Sequence, residues 1–260
     1  MKAIILAAGY GTRLAGYLEK KYAVHKPKQL VLVGGKPIID HIVEQIETIP
    51  AVDGIFVVTN HKFIGDFEEW ADECVKKAKE SGKRALPITV FDDGTETNET
   101  RLGAIGDIQF TLEAGKIDDE IVVIAGDNYF TYPLREQYDF YVEKGGDCVC
   151  AQRIADPEDI KRYAVAQIDG DNRVIGLVEK PEVPLSDLGV FATYFYTRDT
   201  TKLFREYLTE INEKGERNNP DAPGFFPQWL YKIRPVYAYI MSGQCYDIGT
   251  PDSYEQVQAL

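Results

Sequence analysis

Two glycines, an arginine and a lysine near the amino terminus are the residues best suited to chemistry. They stand in Leu6-Ala7-Ala8-Gly9-Tyr10-Gly11-Thr12-Arg13-Leu14 and in His25-Lys26-Pro27-Lys28-Gln29-Leu30. The run Ala3–Ala7 is apolar and reads as a buried strand. The loop after it therefore lies at a strand's carboxyl end, where open α/β sheets bind ligands. Glycines let the backbone approach an anion closely, and the free N–H groups of such a turn form a nest for phosphate oxygens. Arg13 adds a bidentate cation and Lys28 a point charge. The combination implies a site for a nucleoside triphosphate. Two other glycine loops fail on spacing. A dinucleotide fingerprint needs a third glycine where Leu14 stands, and a Walker loop needs Gly-x4-Gly-Lys-Ser/Thr, which this chain lacks. Gly-x-Gly alone would be read as a tight turn; Arg13 and Lys28 in the same stretch favour the phosphate site.

Carboxylates recur at strand ends. Asp127 follows the run Ile121–Ala125 and Gly126, and Asp247 follows Gln244-Cys245-Tyr246. Aspartates often form turns or caps. Beside a phosphate loop, two of them suit a magnesium ion that shares phosphate oxygens and keeps some of its water. Asp92-Asp93-Gly94 is read as a turn. Glu179-Lys180-Pro181 ends another strand; Glu179 could accept from sugar hydroxyls and Lys180 could meet a phosphate, although a solvated charge pair is the simpler reading of that segment alone.

The elements that must hold these residues follow from hydrophobic patterning. Ala3–Ala7, Gly54–Thr59, Ile88–Phe91 and Ile121–Ala125 are short, continuously apolar runs, as parallel strands covered on both faces require. Helical spacing occupies Pro37–Thr48, Ile64–Lys79 and Thr100–Glu113 between them, so the first half reads as a doubly wound α/β sheet. The second half is richer in strands: Cys148–Arg153, Tyr163–Ile168, Val174–Val178 and Val190–Tyr196 predict an antiparallel extension. Helices are expected over Thr200–Glu213, Phe225–Lys232 and Asp252–Leu260, with a last strand at Val236–Met241. One domain over 1–260 is expected, with lobes 1–130 and 131–260. The residues Leu14 to Pro27 read as a long loop, and Glu19-Lys20-Lys21 within it as part of a mobile lid.

Composition narrows the function classes. The chain has 260 residues, 44% hydrophobic and 27% charged, with a formal net charge of −13. That charge argues against nucleic acid and acidic membranes as partners, and it makes a local cationic pocket or a divalent ion necessary for polyphosphate binding. The four cysteines lack Cys-x-x-Cys spacing and read as packing residues. No run approaches membrane-spanning length, and the cytoplasm is the expected compartment. The composition leaves a homo-oligomer open.

Together these segments resemble the sugar-1-phosphate nucleotidyltransferases, the nucleoside-diphosphate-sugar pyrophosphorylases. The resemblance is carried by Leu6 to Leu14, Pro27-Lys28-Gln29-Leu30, Lys36-Pro37, Gly126-Asp127-Asn128, Glu179-Lys180-Pro181 and Tyr246-Asp247-Ile248-Gly249-Thr250-Pro251, in family order along nearly the whole chain. It implies a Rossmann-like α/β fold, a doubly wound, mostly parallel mixed sheet, with an antiparallel sugar-binding lobe. It implies a nucleoside triphosphate, dTTP or UTP, and a hexose 1-phosphate as partners, and Mg2+ as cofactor. By resemblance Arg13, Lys28 and Asp127 are catalytic. Leu6, Ala8, Gly9, Gly11, Thr12, Arg13, Lys28 and Gly103 bind the nucleotide; Gly126, Tyr163, Glu179, Lys180 and Tyr194 bind the sugar phosphate; Asp127 and Asp247 hold the metal. The chain departs from the family in the fourteen residues between Arg13 and Lys28, which leave Lys26 and Lys28 both open as the phosphate ligand, and in Ala164 where a glycine is usual. Thr97 to Arg101 spell no trusted base-reading pattern. Cytidylyl transfer to an alcohol phosphate and a silent sugar-nucleotide-sensing subunit are the competing readings.

Overall fold

Lys2–Leu6 (β1) shows why the sheet forms. Ala3 and Ile5 join one core and Ile4 the other, all three with no exposed surface. Successive side chains of a strand point to opposite faces, so the apolar run Ala3–Leu6 needs cover on both. The computed structural model describes residues 1–22, 26–82, 84–211 and 215–259, and of Thr12, Arg13, Ala15 and Tyr22 the backbone only.

After β1 the chain forms Thr12–Tyr22 (α1), a small hairpin of Leu32–Val33 (β2) and Lys36–Pro37 (β3), and Ile38–Glu47 (α2). Ile55–Thr59 (β4), Ile64–Glu80 (α3), Ile88–Asp92 (β5), Ala104–Ala114 (α4) and Ile121–Ala125 (β6) continue the alternation. Strands β6, β1, β4 and β5 lie side by side, all parallel. Helix α2 buries Ile38, Ile39, Ile42, Val43 and Ile46, the spacing of one helical face. It covers one side of the sheet with α3, whose Trp70 donates to Asp40 of α2 at 2.6 Å. Helix α4 covers the other side through Ile105, Ile108 and Leu112.

The second half extends the same sheet. Asn128–Phe130 (β7), Leu134–Lys144 (α5), Asp147–Arg153 (β8), Ala164–Ile168 (β9), Val174–Glu179 (β10) and Leu188–Tyr196 (β11) follow. Strand β11 is the junction. Along one edge its carboxyl half pairs antiparallel with β6 and its amino half with β9; its other edge pairs with β8. Arg198–Thr201 (α6), Leu203–Thr209 (α7), Phe225–Leu230 (α8), Val236–Ile240 (β12), Cys245–Asp247 (β13) and Pro251–Gln258 (α9) complete the chain. Thr250 and Ser253 form a capping box at the start of α9, with Pro251 in the first turn.

Four expectations need correction. The stretch after Arg13 is the helix α1 and not a loop: Leu14 and Leu18, four residues apart, are buried against Ile248, Tyr254 and Val257. Gly11 and Gly16, read with Glu19-Lys20-Lys21 as parts of a mobile lid, belong to this helical region: Gly11 precedes the helix and Gly16 lies on its exposed side. His25, proposed with the basic segment, lies outside the described residues. Helix α5 was missed because its buried face carries Gln137 and Tyr141 beside Leu134; Gln137 is satisfied by Tyr132 and the Thr193 carbonyl. The helix expected over Thr200–Glu213 is two short ones that end at Thr209, with Glu213 outside the description. Strand β12 runs parallel, not antiparallel, to β8. One nine-stranded sheet runs through both halves of the chain, and no helix among the described residues is long and apolar enough to cross a membrane.

Candidate active site

Parallel packing brings the carboxyl ends of β1 and β6 together, because Leu6 pairs with Ala125. The glycine loop leaves β1 there, and Gly126-Asp127 leaves β6. A cavity of about 390 Å³ opens between them. Leu6, Ala8, Gly9, Gly11, Lys28, Gly103 and Asp127, all expected from the sequence, line it. A larger cavity of about 550 Å³ lies against α2, α3 and α9. It is lined by Asp40, Asp66, Glu69 and Glu73 and contains none of the loop glycines, so it is unsuited to phosphate.

Lys28 is fixed by the short turn Lys28–Leu30, and its aliphatic stem passes 3.6 Å from where a Cβ on Gly11 would lie. Gly11 has φ +58°, a conformation that only glycine adopts without strain. The Lys28 ammonium donates to the Asp127 carboxylate. Their side chains are 17% and 16% exposed, so this pair works in a drier medium than a surface salt bridge. Lys26 lines the larger cavity instead, and Lys28 lines the cavity of the glycine loop. The side chains of Thr12 and Arg13 lie outside the description; their backbones form the first turn of α1, directly after Gly11.

Gly103 starts α4 with φ +79°, and a Cβ there would lie 2.6 Å from the Pro220 carbonyl oxygen. The Pro220 and Asp221 carbonyls accept from Ile105 and Ala104, and Arg101 pairs with Asp221 at 2.8 Å. A segment from the second half thus closes one wall of the cavity, to which Asp221 and Pro223 contribute. Gly126 packs its backbone on Leu6, where a Cβ would sit 2.9 Å from the Leu6 carbonyl.

The residues expected on the sugar side are less united. Tyr163 and Asp247 line a separate cavity of about 370 Å³ with Phe191 and Gln244. Asp247 nevertheless lies close to Asp127: β13 pairs with β7, Asp247 opposite Asn128, and Ile248 N–H donates to the Asp127 carbonyl. Both carboxylates bear on the buried Cys245 thiol, whose pKa burial pushes up. Glu179 is buried, its side chain 6% exposed beneath Gly224, and burial raises its carboxyl above the usual range although Lys180 opposes this. Lys180 points outward, 60% exposed. Tyr194 is a correction: it is 2% exposed and stacks on Tyr196 inside the core, so packing claims its ring.

Sequence reasoning missed Gln29, Asn98, Arg101 and Asp107, which also line the first cavity. Only Asp107 carried a signal, as a carboxylate in the otherwise apolar first turn of α4.

The chain matches the nucleotidyl transferase family over residues 2–260 and belongs to it. The Bifunctional protein GlmU of Methanocaldococcus jannaschii is 30% identical over 251 residues, covering 96% of this chain and 52% of that protein. UTP–glucose-1-phosphate uridylyltransferase AglF of Haloferax volcanii is 27% identical over 258 residues, covering 99% of this chain and 95% of the relative. A solved UDP-glucose pyrophosphorylase complexed with UDP-glucose shares the fold with a TM-score of 0.77 at 22% identity, over 99% of this chain and 97% of that one. The chain spans 62% and 52% of the length of the first two curated relatives it matches.

Proposed function

We propose that this protein joins a nucleoside triphosphate to a sugar 1-phosphate, releasing pyrophosphate and forming a nucleoside-diphosphate sugar. The observation that carries the reading is the convergence of Gly9, Gly11, Lys28 and Asp127 on one cavity at the ends of two adjacent parallel strands. The nucleotide proposed is dTTP or UTP and the sugar a hexose 1-phosphate.

The chemistry is attack of a phosphate oxygen on the α-phosphorus. A phosphate monoester is already largely dianionic near neutral pH, with a second pKa of about 6, so no general base is required. The protein must bring two anions together and stabilise charge on the α-phosphoryl oxygens. Lys28 supplies a fixed ammonium from a turn whose position the Asp127 pair holds. The first turn of α1 presents its free N–H groups just after the glycine loop. Glu179 would accept from sugar hydroxyls, and its burial would make a lost partner costly.

Asp127 and Asp247, neighbours through the β7–β13 pairing, would hold Mg2+. Two carboxylates with shared phosphate oxygens match its oxygen preference. The ion would neutralise phosphate charge within an acidic protein.

A matrix of nucleoside triphosphates against sugar 1-phosphates, read by pyrophosphate release with and without Mg2+, tests the proposal. Turnover with UTP or dTTP and a hexose 1-phosphate is expected. Turnover only with CTP and an alcohol phosphate, or none with any pair, would overturn it.

A further inference from the structure

Asp107 is an anomaly on α4. It is 6% exposed, on a helix otherwise apolar where it meets the sheet, yet it lines the nucleotide cavity beside Gly103 and Ala104. The carboxyl of Asp93, just past the end of β5, is close enough to bear on its charge. Asp93 is held in place: its Oδ1 accepts from the Thr95 N–H and hydroxyl, both at 2.7 Å, and Tyr10 of the glycine loop donates to the same hydroxyl at 3.2 Å. The remaining oxygen of Asp93, Oδ2, and Oδ1 of Asp107 are both buried and find no other donor among the described residues. Two carboxylate oxygens cannot hydrogen-bond without a proton between them. Burial and the Asp93 charge push the Asp107 carboxyl up to about 8, and a proton held by Asp107 is what would let the two carboxyls face one another.

This arrangement fixes what Asp107 offers the ligand. Because Oδ1 is buried, the other oxygen is the one left to the cavity that Asp107 lines, and on a protonated carboxyl it is an uncharged acceptor. A neutral acceptor avoids the repulsion that an ionised carboxylate would exert on a triphosphate. It also cannot bind a phosphate oxygen, itself an acceptor. The phosphate-suited part of the cavity is marked by Gly9, Gly11 and Lys28. The part bounded by Asn98, Gly103 and Asp107 is left for the nucleoside.

We propose that Asp107 is a specificity residue whose cavity-facing oxygen accepts a hydrogen bond from the bound nucleoside, from a base N–H or a ribose hydroxyl, with Asp93 holding it in that orientation. The inference rests on the nucleotidyl-transfer reading and deepens it. It makes a distinctive demand on substitutions. In Asp107→Asn the amide N–H can donate to Asp93 and leave the carbonyl facing the cavity, so the acceptor survives. In Asp107→Leu the volume is kept and the acceptor is lost.

Steady-state kinetics of the full chain with UTP, 3-methyl-UTP and 2′-deoxy-UTP, against glucose 1-phosphate, provide the test. The wild type should lose about tenfold in kcat/KM when the donor is removed, the scale of one hydrogen bond. That discrimination should persist in Asp107→Asn and shrink to near unity in Asp107→Leu. A change confined to the 3-methyl comparison assigns the donor to the base; one confined to the 2′-deoxy comparison assigns it to the ribose. Both support the inference. If Asp107→Leu lowers activity equally with all three nucleotides, Asp107 is merely structural and the inference is overturned. A wild type that turns over only purine nucleotides would instead remove the pyrimidine reading. The same ratios, with 1-methyl-GTP or N6,N6-dimethyl-ATP as the donor-blocked nucleotide, would then decide the role of Asp107.

Discussion

The ammonium of Lys28 is hydrogen-bonded to the carboxylate of Asp127, a residue 99 positions away. Removing either charge leaves the other in a site too dry to solvate it well. Lys28→Ala should lower kcat by about 10²–10³, the scale of one preorganised contact to the transition state. Asp127→Asn should also impair activity, and the double variant should be far less impaired than the product of the two losses, because the residues act as a unit. Strict multiplicativity in pyrophosphate-release assays would rule out that coupling.

Glu179→Ala should raise the KM for sugar phosphate more than that for nucleotide. A hydrogen bond to a charged group contributes about 1.5–3 kcal/mol, and the side chain of Glu179 is buried rather than solvated. Gly224→Ala should mimic part of the effect, since its Cβ would collide with the Glu179 carboxylate. Unchanged sugar-phosphate KM values in both variants would assign Glu179 to the packing of β10 on α8.

Gly103→Ala should be destabilising and should weaken nucleotide binding. Alanine at φ +79° is strained, at about 1–3 kcal/mol, and the Cβ would strike the Pro220 backbone. Denaturant melts and nucleotide titrations would show both losses together. A variant with normal stability would mean that the Pro220–Gly224 segment moves aside at little cost.

Asp107 makes stability depend on pH with a definite sign. Its carboxyl pKa is raised from 3.8 to about 8 on folding, chiefly by burial, so the native state holds more protons than the unfolded chain between those values. Stability should therefore fall as pH rises through that window and level off above it. Asp93, also raised by burial, adds in the same direction. Asp107→Asn should gain on the wild type steadily from pH 5 to pH 8 in urea denaturation. A constant difference would show that Asp107 ionises normally in the folded protein.

Much of the candidate site could be read in the sequence because Gly9, Gly11 and Asp127 sit just past strand ends. Lys28, Gly9, Gly11 and Asp127 belong to short contiguous segments, and a parallel sheet gathers such ends on one side. Of Asp107 only its place in an apolar turn was legible, and not its role, because that depends on Asp93, which looks like an ordinary turn aspartate: its Oδ1 does accept from Thr95. The wall formed by Pro220 to Pro223 was hidden for the same reason, since its contacts with Gly103 join two halves of the chain. For the fold, strands whose apolar residues run without interruption were found. Helices α1 and α5 were missed because glycines, tyrosines and a glutamine blur their periodicity, and tertiary contacts decide such segments.

Strand β1 is made before both of its neighbours and lies in the middle of the sheet, between strands that begin at Ile55 and Ile121. At roughly 5–20 residues per second, its second neighbour arrives on the order of ten seconds after it. Until then a strand apolar from Ala3 to Leu6 has an open edge, the feature most prone to pair with another chain. Nascent-chain lengths ending before Ala125 should accordingly be captured by chaperones or aggregate, and those extending past it should become protease-resistant. Equal protease resistance on either side of that length would mean that β1 finds protection before β6 is available.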